Sequence, residues 1–233
     1  MHFNLMSKLT FCIIIPVYNE EEIILNVISK ALRFIKNTNS KILIINDGSK
    51  DNTRKKLDKI KNKKIIVFHK KNEGHGKTIT LGYKKAINMK AEYILQIDSD
   101  DQIPFDEFKK LIKYMNKYDF VIGNRLNRND PFNRILISGF MKSIIFSLYG
   151  KYILDPNCPV RIMKTSFLKE IIKKVSYSTI PNILIAICAK KKNSYKSINI
   201  KHIERYTGSS IQFLKLYKTC AIAFFDLIRF RLL

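Results

Sequence analysis

Between Thr10 and Gly123, short and nearly continuous apolar runs alternate with amphipathic segments, and this alternation constrains the fold more than any other feature. The runs are Phe11–Ile15, Lys41–Ile45, Lys64–His69, Glu92–Ile97 and Asp119–Ile122, and between them lie Glu20–Lys36, Asp51–Lys61, Lys77–Met89 and Phe105–Lys117. A strand that is apolar on both sides has to be covered on both sides. Strand–helix–strand repetition also makes neighbouring strands parallel. The pattern therefore predicts an α/β fold, a mostly parallel central sheet with helices on both faces. Such sheets bind ligands beyond the carboxyl ends of their strands, where the distinctive polar clusters of this chain fall. They are Pro16-Val17-Tyr18-Asn19-Glu20, Asn46-Asp47-Gly48-Ser49, Asn72-Glu73-Gly74-His75-Gly76-Lys77 and Asp98-Ser99-Asp100-Asp101-Gln102.

From about Leu126 the alternation breaks. Asn127–Pro131 reads as a loop, Phe132–Gly150 as a largely apolar helix charged only at Arg134 and Lys142, and Asp155–Pro159 as a turn. Thr165–Lys174 and Pro181–Lys191 read as helices, the latter with proline in its first turn, and Tyr195–His202 as a strand. In the closing segment Ile211–Leu233, helical geometry puts Gln212, Lys215, Lys218, Asp226 and Arg229 on one stripe, with apolar residues over most of the rest.

Lys and Arg number 43 against 19 Asp and Glu, a net charge of +24. Such a surplus favours an anionic partner, whether nucleic acid, acidic lipid headgroups or a phosphorylated substrate. Lysines that merely solvate helix faces are the plain alternative. No aromatic-basic recognition motif supports nucleic acid. The four cysteines are scattered through apolar surroundings, which suits reduced thiols in a cytosolic protein. No signal peptide is read at the start of the sequence, and no run approaches the roughly 20 apolar residues that cross a bilayer.

Asp98-Ser99-Asp100 is the sharpest chemical signal. Two carboxylates two residues apart beyond a buried strand point the same way and offer a hard divalent cation oxygen ligands, and Gln102 continues the spacing with a neutral carbonyl oxygen. The alternative is an Asp/Ser turn capping a helix that starts near Pro104, a role that falls to Asp101. Asn46-Asp47-Gly48-Ser49 with Asp51 fits a turn and helix N-cap, or makes Asp47 an acceptor for a nucleobase N–H or a ribose hydroxyl. Gly76-Lys77-Thr78 looks like the end of a P-loop, but Lys71 stands where that motif needs glycine, and Ile79 where a dinucleotide fingerprint does. What survives is a glycine-rich helix N-terminus tolerant of an anion, or an ordinary loop-to-helix turn. Arg125, Arg134, Arg161 and Arg205 are candidates for bidentate phosphate contact. The four histidines have no ligand spacing.

Together these residues resemble the family 2 glycosyltransferases of the GT-A fold, most closely the dolichol-phosphate-mannose synthase type. Pro16-Val17-Tyr18-Asn19-Glu20 is similar to the family's P-x-Y-N-E opening, and Asn46-Asp47-Gly48-Ser49 to D-D-G-S with Asn for the first Asp. Asp98-Ser99-Asp100-Asp101-Gln102 resembles D-A-D-L-Q, Ile122-Gly123-Asn124-Arg125 resembles G-S-R, and Arg134–Ser138 resembles R-x-x-x-S. Asp155-Pro156-Asn157-Cys158-Pro159 is similar to D-P-x-S-G with its Ser-Gly altered, and Glu204–Ser210 to R-x-x-G-x-S.

The resemblance implies that Pro16, Tyr18, Glu20 and Asp47 hold the nucleoside of a GDP- or UDP-sugar, with Ser99 beside them. It implies that Asp98, Asp100 and Gln102 bind Mg²⁺ or Mn²⁺ on the diphosphate, and that Arg205 clamps that diphosphate. Arg125, Arg134 and Ser138 would receive the phosphate of a polyprenyl (dolichyl or undecaprenyl) acceptor. Arg134 and Ser138, four apart, share one helix face. Asp98, Asp100, Arg125 and Arg205 would thus carry catalysis, by attack that inverts the anomeric carbon. On this reading residues 1–210 form the GT-A domain, with a nucleotide and metal half at about 10–125 and an acceptor half at about 126–210. Residues 211–233 add a C-terminal amphipathic, membrane-interfacial helix. The expected place is the cytoplasmic face of a membrane, with the basic surface on anionic lipid, with no nucleic acid, and with room for a homo-oligomer or a small membrane-protein partner. The alternative acceptor is a saccharide hydroxyl, with Asp155 as the candidate base.

Overall fold

The computed structural model describes residues 10–126, 132–203 and 213–232, with backbone alone for 132–134 and 213–219. Its first half runs β1 (Phe11–Val17), α1 (Ile24–Phe34), β2 (Lys41–Asp47), α2 (Thr53–Asp58), β3 (Ile65–Lys70), α3 (His75–Asn88), β4 (Tyr93–Gln96), α4 (Glu107–Ile112) and β5 (Phe120–Arg125). There follow α5 (Phe132–Tyr149), β6 (Arg161–Lys164), α6 (Thr165–Val175), α7 (Pro181–Lys191), β7 (Tyr195–Ile200) and α8 (Phe213–Leu232).

One seven-stranded sheet takes strands from both halves in the order β3-β2-β1-β4-β6-β5-β7. All pairings are parallel except those of β6, which runs antiparallel to β4 and β5. The chain moves outward from β1 to β3 and then crosses back to lay β4 on the other side of β1. The crevice between β1 and β4 is therefore the point where a doubly wound sheet opens for a ligand. Register aligns the ends: Val17 lies beside Asn46, and Asn46 and Asp47 lie beside His69 and Lys70.

Burial follows the apolar runs. Phe11–Ile15 and Ile42–Ile45 are fully buried, and each such isoleucine or leucine contributes about 1.5–3 kcal/mol by leaving water. In α1, Ile24, Val27, Ile28 and Ala31 form the buried stripe of an amphipathic helix. That helix starts later than expected because residues 20 and 21 are held by the β2–α2 loop. The helix α3 lies across β1, β2 and β4. There Gly82 lets Ile14 come close, since a Cβ on it would meet Ile14 Cγ2 at 2.7 Å.

Two features depart from expectation. The sequence shows no strand at β6, because it has only four residues and begins with Arg161. That arginine is fully buried, its guanidinium held by the backbone oxygens of Pro156, Cys158 and Asn182 and stacked near Phe120. It is a structural residue, not a phosphate ligand. The second departure is in α8. Asp226 turns inward beside buried Ala223, Leu227 and Phe230 instead of joining a solvated stripe. Its Oδ2 accepts bonds from Ser178 Oγ (2.8 Å), Thr179 N–H (2.7 Å) and Thr179 Oγ1 (2.8 Å). Gln212 lies outside the described residues, as do the side chains of Lys215 and Lys218.

The segment latched by Asp226 abuts α3. A Cβ on Gly76 would sit 2.2 Å from the Thr179 carbonyl oxygen, backbone against backbone. Gly139 on α5 faces open space, with nothing within 4 Å of an added Cβ. Gly76→Ala is therefore expected to destabilise the protein by about 1–3 kcal/mol through overpacking, whereas Gly139→Ala should stabilise it by about 0.5–1 kcal/mol through helix propensity. Urea unfolding midpoints measure both, and equal midpoints would refute the abutment.

Candidate active site

The rim beyond β1 and β2 is stitched by side chains that bond to the facing backbone. Asn19, in the left-handed region at φ 54°, donates its N–H to Ser49 Oγ (3.0 Å) and accepts the Lys50 N–H (2.8 Å). Thr53 Oγ1 accepts the Glu20 N–H, Asp51 accepts the Glu21 N–H, and Glu21 accepts the Asn52 N–H. Asp51 Oδ1 also takes the Thr53 N–H, an Asx turn just ahead of α2, whose N-cap position is Asn52. Gly48 adopts φ 67° where a Cβ would strike the Asn72 backbone nitrogen at 2.7 Å, so glycine permits both the turn and the approach of the next loop.

Asp47 anchors that next loop. Only 4% exposed, it accepts bonds from Lys70 Nζ (2.5 Å) and the backbone N–H groups of Glu73 (3.0 Å) and Gly74 (3.0 Å). Burial alone would raise its pKa. The bonds from Lys70, Glu73 and Thr78 outweigh that and bring it below the ordinary carboxylate value. Neighbouring Asn46 accepts from Ser49 through Oδ1 and approaches His69 Nδ1 with Nδ2 (2.9 Å), while His69 Nε2 meets Asp58 (2.9 Å). In this arrangement Nδ1 faces an amide donor and Nε2 a carboxylate acceptor.

Between these loops and the end of β4 lies a cavity of about 410 Å³. Pro16, Tyr18, Glu20, Asp47, Asp98, Ser99 and Asp100, all singled out from the sequence, line it together. Asn72, His75 and Thr78 also line it, with no contact to a ligand foreseen for them individually. The signal for Asn72 and His75 was their place in the polar cluster after the third strand, and Thr78 follows that cluster directly. Gln102 is not among the lining residues; its backbone oxygen accepts the Ile203 N–H (2.8 Å).

Asp98 carries the decisive atom. Its Oδ1 is buried and has no hydrogen-bond partner, an expensive state for a carboxylate oxygen unless a cation sits beside it. Asp100 lines the same cavity, one of its oxygens accepting the Gln102 N–H (3.2 Å). Among the described residues no group of three or more His, Cys, Asp or Glu side chains could hold a metal. Asp98 and Asp100 bring two carboxylates to one cavity, oxygen donors of the kind a hard divalent ion takes. Asp101 does not cap a helix. At φ 59° it binds Lys30 Nζ (2.5 Å) and Asn26 Nδ2 (3.1 Å). Gly76-Lys77-Thr78 lies in the first turn of α3, where the glycine admits Thr179, Thr78 lines the cavity and Lys77 pairs with Glu73 (3.7 Å).

Across β6 from β4, Arg125 at the end of β5 grips Asp155 in a fork, Nε to Oδ2 at 2.7 Å and Nη2 to Oδ1 at 2.9 Å. Burial pulls the Arg125 pKa down, but the bond and charge of Asp155 raise it above the usual value. Ser138 is half-buried on α5, which also carries the backbone of Arg134. The Arg134 side chain and all of Arg205 lie outside the described residues. Cys158, fully buried, has its thiol pushed up to about 12 by burial, so it is inert as a nucleophile. Below the cavity, the Tyr83 hydroxyl sits between the side-chain oxygens of Gln96 and Asn182, and burial raises its pKa. Polar residues inside otherwise apolar runs, such as Gln96, were the signal for this buried network.

Residues 12–176 match the model of the family described as glycosyl transferase family 2. The chain is 30% identical to the UDP-N-acetylglucosamine–dolichyl-phosphate N-acetylglucosaminyltransferase of Methanococcus voltae, over 88% of this chain and 90% of that one. It is 27% identical to the undecaprenyl-phosphate 4-deoxy-4-formamido-L-arabinose transferase of Proteus mirabilis, over 92% of this chain but only 66% of that longer protein. Among solved structures, glucosyl-3-phosphoglycerate synthase of Mycobacterium tuberculosis, in complex with Mn²⁺, UDP-glucose and phosphoglyceric acid, superposes with a TM-score of 0.71 at 12% identity. That likeness covers 97% of this chain and 84% of that one, and it shows the GT-A fold.

The depressed pKa of Asp47 has a testable sign. Its stabilisation is complete above the unfolded carboxylate value, near pH 4, and is lost as pH falls through the lower folded value. The melting-temperature gap between the wild type and Asp47→Asn should be constant from neutral pH to about pH 5 and shrink below pH 4. A gap that widens on acidification would contradict the Lys70 and backbone bonding.

Proposed function

Because the chain belongs to glycosyl transferase family 2, we propose that it moves a single sugar from a GDP- or UDP-sugar to a polyprenyl phosphate, with inversion, at the cytoplasmic face of a membrane. The unpartnered, buried Oδ1 of Asp98, on a carboxylate that lines the cavity, supports this reading, because a cation beside it would satisfy that oxygen. Asp98 and Asp100 hold Mg²⁺ or Mn²⁺, which when bound offsets the negative charge that grows on the leaving diphosphate. Pro16 and Tyr18 flank the nucleoside, Glu20 and Asp47 border it, and Arg205 clamps the diphosphate. Arg125, Arg134 and Ser138 receive the acceptor phosphate.

A phosphate monoester is already ionised at neutral pH and so needs positioning instead of a general base. Attack opposite the leaving group inverts the anomeric carbon. The relatives in Methanococcus voltae and Proteus mirabilis are named for polyprenyl-phosphate acceptors, which supports the same class here. Among the described residues no helix is long and apolar enough to cross a membrane. The helices α5 and α8 pack on each other and leave Leu136, Phe140 and Phe146 of one, and Phe225 and Leu232 of the other, exposed. An apolar pair of helices on a strongly basic protein suits the interface of an anionic leaflet.

With radiolabelled nucleotide sugar, Mn²⁺ and a short-chain polyprenyl phosphate, the wild type should form a lipid-linked sugar, and chelation should stop it. Asp98→Ala and Asp100→Ala should each lower kcat by about 10²-fold or more. Product on saccharide hydroxyls but none on polyprenyl phosphate would refute the acceptor. Full activity in Asp98→Ala would refute the cation site.

A further inference from the structure

Arg125 and Asp155 are both hidden, with side chains 14% and 9% exposed, and they meet through two parallel N–H···O bonds. The Arg125 backbone N–H also approaches Asp155 Oδ2 at 3.4 Å. Each partner has a rigid mount. Arg125 ends β5, where the Gly123 N–H is bonded to the Val160 oxygen at 2.8 Å. Asp155 begins a turn closed by the Cys158 N–H on its own backbone oxygen (3.2 Å), and buried Arg161 ties the oxygens of Pro156 and Cys158 from below. A guanidinium carries five N–H donors in a plane; the fork uses Nε and one side of Nη2, which fixes the direction of the remaining edge.

To take a proton from a hydroxyl, Asp155 would have to give up this fork and leave a buried arginine unpaired, which is strongly unfavourable. We propose that Asp155 is a positioning residue that aims the free edge of the Arg125 guanidinium at the phosphate of the acceptor, and is not the base of the transfer. The inference rests on the polyprenyl-phosphate reading. Asp155 touches no substrate and acts through Arg125.

The test is a double-mutant cycle on the full chain, with farnesyl phosphate as acceptor and the nucleotide sugar that the wild type accepts. Asp155→Asn should raise the KM for farnesyl phosphate about tenfold, the scale of a lost charge-assisted contact, and leave the donor KM within about twofold. The shape of kcat against pH should not move, and Asp155→Glu should recover part of the loss. In an Arg125→Lys background, where the fork is absent, Asp155→Asn should add little. Donor binding with Mn²⁺, read by thermal shift, checks that each variant is folded; should Asp155→Asn fail this, the Glu variant and Arg125→Lys carry the comparison. An unchanged acceptor KM, a full additional loss in the Arg125→Lys background, or a kcat that falls with loss of one ionisation from the pH profile would overturn the positioning role alone. A wild type that ignores every polyprenyl phosphate would instead overturn the acceptor reading and this inference with it.

Discussion

Parallel pairing of β1 with β2 and with β4 sets every distance at the candidate site. A parallel strand cannot follow its neighbour by a hairpin, so each is reached by a crossover. Each crossover begins with a loop at the same rim. Because β4 returns to the opposite side of β1, the loop after it faces the loops after β1 and β2 across a crevice. The strand order brings the acidic turn at Asp98 and the polar loop at Tyr18 to one cavity. The stitching between Asn19, Ser49, Asp51 and Thr53 then fixes the loops on one side. Asp47 draws the fourth loop inward through Lys70, Glu73 and Gly74.

Much of this was legible in the residues. Near-continuous apolar runs bounded by polar clusters identify β1 to β5, since a strand covered on both faces leaves few other choices. The cavity-lining carboxylates were legible for the same reason: they follow strands directly. The parts that stayed hidden are those where a long-range partner overrides a local signal. Arg161 reads as a candidate for phosphate contact and conceals β6, because the backbone oxygens that hold its guanidinium leave no mark in the local pattern. Asp226 reads as solvated until Ser178 and Thr179 are brought to it. Gly76 invites comparison with phosphate loops, although what it accommodates is a backbone oxygen. Asp101 sits where a cap would be expected, yet its partners are Lys30 and Asn26 on α1.

The site also divides its charges in a consistent way. Carboxylates that serve the scaffold, Asp47 and Asp155, are saturated by donors from Lys70, Arg125 and the backbone. Asp98, by contrast, keeps one buried oxygen without a hydrogen-bond partner. A buried oxygen of that kind destabilises the empty protein and so increases the advantage of binding a cation.

The latch at Asp226 has a consequence for the order in which the molecule is completed. The strands and α3 are synthesised first, but the segment that leans on Gly76 gains its three bonds to Asp226 only when α8 arrives. Until then a chain emerging from the ribosome carries an unlatched Ser178–Thr179 segment and an α5 without its helical companion. During that interval the greasy surface of α5 that α8 later covers stays exposed, and it is a surface open to misassembly.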